Sequence, residues 1–575
     1  MKNKVLFILF LLIVQWYLIS CNSRTTEDNK SIPEDASTIA KGRTSFENKC
    51  TSCHTFYLDD IGPKLAGVTS ENSVNWIKAF IKDPNKLIQS GDATAQKLLK
   101  KYKTVMPSFK DLSDEEVNEI IAYINTKKKE ERPPVKIDSN DIKNPIPDSI
   151  RTSGLLVDIK EITQVPPSST HSPLTRITQL DYEPNTNDLF ILDLRGKLYK
   201  LENREPKLYM DMATLEPNFI NQPGLATGFG SFAFHPDFTK NGLLYTTHTE
   251  SPKLIKADFD YPDSIPVMMQ WVVTEWKTDP KKFPFSGTGR EIFRINMPTG
   301  IHGMQEISFN RHAKPGDKDY GMLYISIGDG GSVESGHPLV STMPNRIWGT
   351  IIRIDPSGRN GRNGKYGIPA DNPFANNDRN KYAPEVYAYG FRNPHRFNWT
   401  RSGQLLAVNI GQTNIESVNL ILPGHFYGWP IREGTFQERF FNDQGKIYPL
   451  PPNDSIYHVT YPVAQFDHDE GTAISGGFEY RGNNIPLLKG KYLFGDIGTG
   501  KLFFVNVKDL KFGKQATIKK WNIAINGAPT TFEKLCGNKR VEIRFGMDSN
   551  GELYITTKAD GKVYKLVKAK MVTTK

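Results

Sequence analysis

From about Ile150 onward, short apolar segments alternate with turn residues, and no long helical period is present. A turn followed by a compact apolar segment occurs six times. The six segments are Leu189–Asp193, Leu243–Thr247, Leu323–Ile327, Leu405–Asn409, Tyr492–Asp496 and Leu553–Thr557. One such hairpin cannot bury its own apolar face, whereas several sheets packed around an axis can. The pattern predicts an all-β, six-bladed β-propeller over residues 150–570, with a large β-sandwich of repeated hairpins as the alternative.

The preceding part of the chain has a helical pattern instead. Thr38–Lys49 has the spacing of an amphipathic helix, and Ser113–Glu116 has the sequence of a capping box that opens a second helix. Residues 38–127 are therefore predicted to form a small all-α domain. A charge run followed by two prolines lies within residues 128–149, which we interpret as a linker.

The start of the chain has the features of a targeting segment. A short basic stretch precedes the apolar run Val5–Ile19, which is too short for a comfortable membrane span, so residues 1–20 are predicted to be a signal peptide. The residues that end in Cys21 resemble a bacterial lipoprotein box, in which the cysteine becomes the lipidated first residue. An uncleaved anchor helix is the alternative. Residues 21–37 would then be a tether, and the protein is predicted to be lipid-anchored in the cell envelope, facing the periplasm or the outer surface.

Composition narrows the class of protein. The 575 residues are 38% hydrophobic and 24% charged, which fits two or more globular domains and excludes a disordered chain or a multi-span membrane protein. Four cysteines over this length exclude a disulfide-stapled scaffold. The net charge of +10 comes from Lys and Arg spread along the whole chain, so we expect anionic partners or envelope surfaces and no nucleic acid.

The helical domain carries a haem signature. Cys50, Cys53 and His54 have the C-x-x-C-H spacing of c-type haem attachment, in which two thiols form thioethers and the histidine binds iron. Met106, followed by Pro107, is the predicted second axial ligand. The alternatives are a redox dithiol or half of a zinc site for the cysteines, and a core methionine for Met106. Together these features resemble a small class I cytochrome c.

Three groups of loop residues within the predicted propeller combine glycines with single polar or charged residues, which suggests backbone close to a ligand. They are Ile301–Met304 with Tyr324–Gly331, Tyr387–Phe397, and Val408–Gln412 with Val418–Leu420 and Tyr427–Pro430.

These segments resemble the glucose/sorbosone dehydrogenase family, the soluble quinoprotein sugar dehydrogenases that bind pyrroloquinoline quinone (PQQ). Phe232–Phe238 and Gly476–Gly482 match as well, and the similarity covers most of residues 155–570. The resemblance implies a propeller that oxidises a sugar by hydride transfer to PQQ. It assigns His302 as the base that removes the hydroxyl proton, and Arg392 and Asn393 as residues that contact PQQ and stabilise the developing oxyanion.

The resemblance also implies a calcium ion that polarises the quinone carbonyl as a Lewis acid, held by the backbone oxygens of Gly411 and Gln412. Arg540 and Arg544 correspond loosely to the family's late PQQ-binding arginines. The catalytic residues, cofactors and metal ligands are all expectations of the resemblance, since an isolated histidine or Arg-Asn-Pro turn is more often a local hydrogen-bonding feature.

The sequence departs from the family pattern at several positions. Ile301 replaces the acidic residue ahead of the histidine, and Asn409 replaces the aspartate of the metal segment. The family's active-site lysine falls near Gly498 and Thr499. Asp329 lies in a Gly-rich turn, which it is expected to stabilise rather than to take part in chemistry.

The two domains together predict a membrane-anchored quinoprotein dehydrogenase. Electrons from a sugar or polyol would pass to PQQ, then singly to haem c, and then to a redox partner in the envelope. The alternatives are a carbohydrate-binding or sensing propeller with a haem reporter, and a calcium-dependent lactonase-type hydrolase fused to a cytochrome.

Overall fold

A computed structural model describes residues 32–50, 54, 56, 62–102, 105–129, 140–222, 226–262, 264–342, 345–440 and 445–573. The predicted signal peptide, the lipidation site Cys21, the haem-motif Cys53 and the centre of the linker lie outside these residues. Within the described ranges, no helix combines the length and the apolar character needed to cross a membrane.

The N-terminal domain is helical, as predicted. Its helices are α1 (Ala36–Lys49), α2 (Val68–Glu71), α3 (Val74–Lys82), α4 (Pro84–Gln89), α5 (Ala93–Tyr102) and α6 (Asp114–Asn125). The predicted capping box is present at α6, where the Ser113 hydroxyl accepts from the Glu116 N–H and the Glu116 carboxylate accepts from the Ser113 N–H.

Helices α1 and α6 pack closely around the core of this domain. A Cβ on Gly42 would lie 1.8 Å from the carbonyl oxygen of Glu119, so only glycine allows this approach. Phe46 of α1 and Ile120 and Ile121 of α6 are buried in the shared core.

The rest of the described chain is built mainly from β-strands, with four short α-helices among the residues that the structure describes. The first strands are β1 (Thr152–Gln164), β2 (Ile177–Tyr182), β3 (Leu189–Asp193), β4 (Lys197–Glu202), β5 (Glu205–Asp211), β6 (Phe229–Phe234), β7 (Leu243–Glu250), β8 (Met269–Lys277), β9 (Thr288–Met297), β10 (Glu306–Phe309), β11 (Leu323–Ile327), β12 (Thr350–Ile354) and β13 (Val386–Tyr389). The later strands are β14 (Asn393–Trp399), β15 (Leu405–Ile410), β16 (Ile415–Ile421), β17 (Arg432–Glu433), β18 (Phe436–Glu438), β19 (Ile447–Tyr448), β20 (Ala464–Asp467), β21 (Ile474–Glu479), β22 (Lys491–Asp496), β23 (Leu502–Asn506), β24 (Lys519–Ile525), β25 (Ala528–Thr530), β26 (Ile543–Met547), β27 (Leu553–Thr557) and β28 (Lys562–Met571). The helices are α7 (Met212–Leu215), α8 (Phe238–Asn241), α9 (Leu339–Thr342) and α10 (Phe532–Cys536).

The strands pair into consecutive antiparallel units. Four sheets have the orders β2-β3-β4-β5, β6-β7-β8-β9, β10-β11-β12-β13 and β14-β15-β16-β20, and β17 to β19 form a small separate sheet. A nine-stranded sheet contains β21 to β24 and then β1, β28, β27 and β26, with β25 paired to β24. Each of the six segments predicted from the sequence is the second strand of its unit.

The first strands of the units surround a common axis. Strand β2 packs against β6, β6 against β10, β10 against β14, β14 against β21, β21 against β26, and β26 against β2. The ring closes where β1 pairs antiparallel with the last strand, β28. Because β1 also pairs parallel with β24, hydrogen bonding joins the last two units into one sheet, so the count of six separate blades stays a prediction.

Candidate functional site

The histidine of the haem motif lies in a position suited to binding iron. His54 is buried, and its Nδ1 is 2.8 Å from the carbonyl oxygen of Pro63, to which it can donate. This bond would leave Nε2 as the ligand atom, and burial lowers the pKa of His54, which favours the neutral ring that binds metals. A Cβ on Gly62 would come within 2.4 Å of the ring, so the glycine makes room for it.

Met106 and His54 line the same cavity. Both residues line a space of about 40 Å³ whose other walls are mainly apolar. These walls include Phe80, Ile88, Ala95, Leu98, Leu99 and Val105. A histidine and a methionine on an apolar cavity are the donor set of a low-spin haem c, so the residues fit this group. Cys50 is half-buried nearby, and its partner in the motif lies outside the described residues.

In the propeller, His302 forms a buried pair with Asp329. Its Nδ1 is 2.7 Å from Oδ1 of Asp329, which also accepts from the Gly331 N–H, while Oδ2 accepts from the indole of Trp429. His302 has a φ of 53°, and a Cβ on Gly328 would lie 2.4 Å from its carbonyl oxygen, so the glycine permits this tight loop. Asp329 therefore stabilises its turn, as expected, and also orients the imidazole, which was not expected.

The electrostatics of this pair favour a neutral histidine. Burial, reinforced by the Arg392 charge, lowers the pKa of His302 well below its usual range. Burial raises the pKa of Asp329 to about 6, against the effect of Arg392. Near neutral pH the arrangement is thus an unprotonated imidazole whose Nδ1–H points at a carboxylate, and Nε2 is free to accept a proton.

Arg392 ties three loops together around His302. Its Nε donates to Glu334 Oε1 at 2.8 Å, as does Nη2, and its Nη1 donates to the carbonyl oxygen of Gly411 at 2.7 Å. Its own carbonyl oxygen accepts from the Asp329 N–H. Glu334, which the sequence analysis missed, has a buried Oε2 for which the described residues provide no hydrogen-bond partner. Ligand atoms of His302, Asp329 and Glu334 lie within 4.8 Å of one another.

Asn393 and the predicted calcium segment are arranged differently from the expectation. The Asn393 N–H donates to the Asn409 side chain at 2.9 Å, which gives the asparagine at the usual aspartate position a structural role. The Gly411 oxygen already accepts from a guanidinium, so a calcium ion at this atom would lie beside a cation. Gln412 donates its N–H to Glu433, and its side-chain oxygen is buried without a partner among the described groups. Calcium at Gly411 and Gln412 therefore stays a prediction, and we assign no step to it.

A cluster of buried basic groups lies near His302. Lys558 Nζ is 3.0 Å from Glu542, and burial together with Arg544 lowers the pKa of Lys558 to about 7. Burial also lowers the pKa of Arg544 to about 9, and its Nε is a buried donor with no acceptor among the described residues. His395 lies within electrostatic range of Arg544, Lys558 and His302, and its Nδ1 is likewise buried and unpartnered in the described structure.

This cluster suits a ligand with several carboxylates. Buried cations and unused donors are costly unless an anion compensates them, and PQQ is a tricarboxylate. The cluster thus fits PQQ. Arg544 was expected here from the resemblance, whereas Lys558 was not. This chain has Gly498 and Thr499 where the family has its active-site lysine, and Lys558 is a buried lysine beside Arg544.

A cavity of about 430 Å³ lies between the domains, and it is bordered by the haem motif and by Glu542, the partner of Lys558. It is lined from the helical domain by Cys50, His54 and Met106, and from the propeller by Arg176, Arg195, Asn221, Arg540 and Glu542 among others. Arg540, assigned to PQQ by the resemblance, instead donates from Nη1 to the carbonyl oxygen of Val105 in the helical domain, at 3.2 Å. A larger cleft of about 730 Å³ nearby contains none of the predicted site residues.

Comparison with known proteins identifies a family for the propeller and another for the helical domain. The family described as Glucose / Sorbosone dehydrogenase matches residues 177–565, and Cytochrome c matches residues 39–128. The HIPL2 protein of Arabidopsis thaliana is 29% identical over 335 residues, which are 50% of this chain and 45% of that protein. Quinoprotein glucose dehydrogenase B of Acinetobacter calcoaceticus is 25% identical over 294 residues, 49% of this chain and 55% of that protein. The chain thus spans about half the length of these curated relatives.

Among solved structures, the soluble aldose sugar dehydrogenase of Escherichia coli in its apo-form superposes with a TM-score of 0.50 at 17% identity. The match covers 72% of this chain and all of that one, 100%. At this identity the likeness concerns the fold alone, and it agrees with the ring of sheets described above.

Proposed function

The chain belongs to the glucose/sorbosone dehydrogenase family and carries a cytochrome c domain, and we propose that it oxidises a sugar or related alcohol with PQQ and passes the electrons to haem c. The observation that carries this proposal is the buried hydrogen bond between His302 and Asp329, next to a cluster of basic groups, in a setting where burial favours the unprotonated imidazole. A propeller that only bound carbohydrate would have no need for an oriented, unprotonated imidazole in a buried site.

The role proposed for His302 is that of general base. Its Nε2 would accept the proton of the substrate hydroxyl whose carbon is oxidised, while Asp329 keeps the proton on Nδ1 and stabilises the imidazolium that results. A positioned general base contributes about 10²–10⁴-fold to a rate. PQQ, when bound, supplies the quinone that accepts a hydride from that carbon.

The basic groups would hold the cofactor. Arg544 and Lys558 would bind carboxylates of PQQ, and Arg392 would stabilise negative charge on the side of His302. Glu334 fixes the guanidinium of Arg392 through two hydrogen bonds, so its donors are already oriented before a ligand arrives. Pre-orientation of this kind lowers the entropy cost of binding.

The position of the haem motif supports electron transfer within one chain. Haem iron, when present, accepts one electron at a time, so two steps would be needed to reoxidise the reduced quinone. His54 and Met106 line the same cavity as Arg176 and Arg540 of the propeller. We further propose that Cys21 is lipidated, that the protein is anchored in the cell envelope, and that the final acceptor is an envelope redox partner.

A hydrolase has one observation in its favour. His302, Asp329 and Glu334 could bind a metal ion, as a calcium-dependent lactonase-type enzyme would require. The two functions differ in their outcome: a dehydrogenase reduces an electron acceptor, whereas a lactonase only releases a hydroxy acid.

The test uses the full-length, haem-loaded protein reconstituted with PQQ. A panel of aldoses, polyols and lactones is assayed with an artificial dye acceptor, and lactone hydrolysis is followed in parallel. We expect sugar-dependent dye reduction in the wild type and its loss in His302→Ala with haem content unchanged. Lactone hydrolysis without any dye reduction would overturn the dehydrogenase proposal in favour of the hydrolase.

A further inference from the structure

Arg540 is a propeller residue whose side chain reaches the haem-binding domain. It follows α10 in the loop that leads into β26, and its N–H donates to the Asn538 side chain at 2.9 Å. Its Nη1 donates to the carbonyl oxygen of Val105, the residue directly before the proposed iron ligand Met106. The guanidinium thus contacts the loop that contains Met106.

The guanidinium is held in place from the propeller side. Its Nε donates to Glu542 Oε1 at 2.6 Å, and the other oxygen of Glu542 is 3.0 Å from Lys558 Nζ. Although burial opposes it, the charges of Lys558 and Arg540 hold the pKa of Glu542 well below its usual range. The carboxylate is therefore ionised, and it connects Arg540 to the cationic cluster of the proposed PQQ site.

Arg540 also borders the apolar cavity between His54 and Met106. Among the described residues that line this cavity, it is the only one with a permanent charge. A haem has two propionate groups, and a carboxylate in a mostly apolar site requires a cationic partner. The planar fork of an arginine suits a carboxylate better than any other side chain.

We propose that Arg540 binds a haem propionate across the domain boundary, so that the propeller completes the haem site of the cytochrome domain. This proposal rests on the haem half of the proposed function. A cation at the haem edge stabilises the reduced iron, which carries one more electron, so it raises the midpoint potential. The same residue links the haem to the Glu542–Lys558 pair, and thus joins the two cofactor sites physically.

The experiment measures the haem midpoint potential of the full-length, haem-loaded protein by spectroelectrochemical titration, without PQQ or sugar. It compares wild type, Arg540→Gln, Arg540→Lys and the control Lys539→Gln. Lys539 is the adjacent exposed cation and does not line the haem cavity, so its loss removes the same charge from a neighbouring position. Because no substrate is present, the result is independent of whether the propeller is a dehydrogenase.

We expect Arg540→Gln to shift the ratio of oxidised to reduced haem about tenfold toward the oxidised form at a fixed potential, which is ~59 mV for a one-electron couple. Lys539→Gln should leave the potential unchanged, and Arg540→Lys should give an intermediate value. If Arg540→Gln does not accumulate with haem, the neutral variant Arg540→Met replaces it. A potential that is the same in wild type and in the neutral variant would overturn the proposal and leave Arg540 as a domain contact.

Discussion

Nδ1 of His302 lies 2.7 Å from Oδ1 of Asp329, although the two residues come from different loops of the propeller. The carboxylate fixes the tautomer and the orientation of a ring that burial keeps unprotonated. The acidic residue that usually precedes the histidine in the family is Ile301 in this chain. In this chain Asp329, which follows β11, provides a carboxylate that orients the imidazole. The imidazole therefore has a carboxylate partner although residue 301 is an isoleucine.

Asp329→Asn should reduce the turnover number by about 10²–10⁴-fold, the range that a general base contributes. The amide can donate to Nδ1 and thereby stabilise the wrong tautomer, which places the proton on Nε2. Steady-state dye reduction with saturating sugar measures the effect. Asp355→Asn is the matched control, since the Asp355 carboxylate accepts from Ser357 in a turn away from the site. Equal turnover in Asp329→Asn and Asp355→Asn would contradict the assigned role.

His302→Gln should lose turnover to at least the same extent as Asp329→Asn while PQQ binding is retained. Glutamine preserves a polar side chain but cannot accept a proton near neutral pH. The double variant should be no slower than the His302 single variant, because the carboxylate acts through the ring. Additive losses in the double variant would show that the two residues work separately.

Lys558→Met should weaken PQQ binding by about 10- to 100-fold, the cost of losing a charged hydrogen bond. Burial lowers the pKa of Lys558 to about 7, so the free protein loses this charge as the pH rises through 7. An anionic ligand raises that pKa again, and the wild-type affinity should therefore decline from pH 7 to 9. Three neighbouring charges also act on Lys558: Arg544 and Arg176 lower its pKa, whereas Glu542 raises it.

Titration of apo-protein with PQQ at a series of pH values measures both effects. In Lys558→Met the decline between pH 7 and 8 should be absent, because the pKa of the remaining ligand Arg544 lies higher, at about 9. Lys534→Met, at an exposed position, is the control. A wild-type affinity that is constant over this range would be inconsistent with Lys558 as a PQQ ligand.

Met106→His should lower the haem midpoint potential, because a thioether ligand favours reduced iron more than imidazole does. The absorption spectrum should change to that of bis-histidine ligation. Met212→Leu, in the core of the propeller, should change neither quantity. If Met106→His has the wild-type spectrum and potential, another residue binds the iron.

The sequence predicted the elements whose signals are local. The six apolar segments, the C-x-x-C-H spacing and the capping box at Ser113 each depend on residues within a few positions of one another. In contrast, Arg392 meets Glu334 58 positions away and Arg540 meets Val105 435 positions away. Such contacts depend on how the loops of separate sheets meet, which spacing cannot reveal.

The contacts that the sequence did not predict have the same cause. The position of Asp329 in a Gly-rich turn predicts only a local role in that turn. Its contact with His302 depends on a second loop and could not be predicted from the spacing. The resemblance makes Gly411 a metal ligand, and only the structure shows that the guanidinium of Arg392 donates to its carbonyl oxygen from another loop. Lys558 lies on no recognisable motif, and only burial next to Arg544 and Glu542 distinguishes it from other lysines.

The most direct test of the account is a single-turnover measurement of haem reduction in the full-length protein. Oxidised, haem-loaded protein with bound PQQ is mixed anaerobically with a sugar that it oxidises, and haem absorbance is followed by stopped flow. We predict that the haem becomes reduced at a rate independent of protein concentration, as intramolecular transfer requires, and that His302→Ala abolishes this reduction. A haem that stays oxidised while the same sugar reduces an external dye, or a rate proportional to protein concentration, would contradict the account.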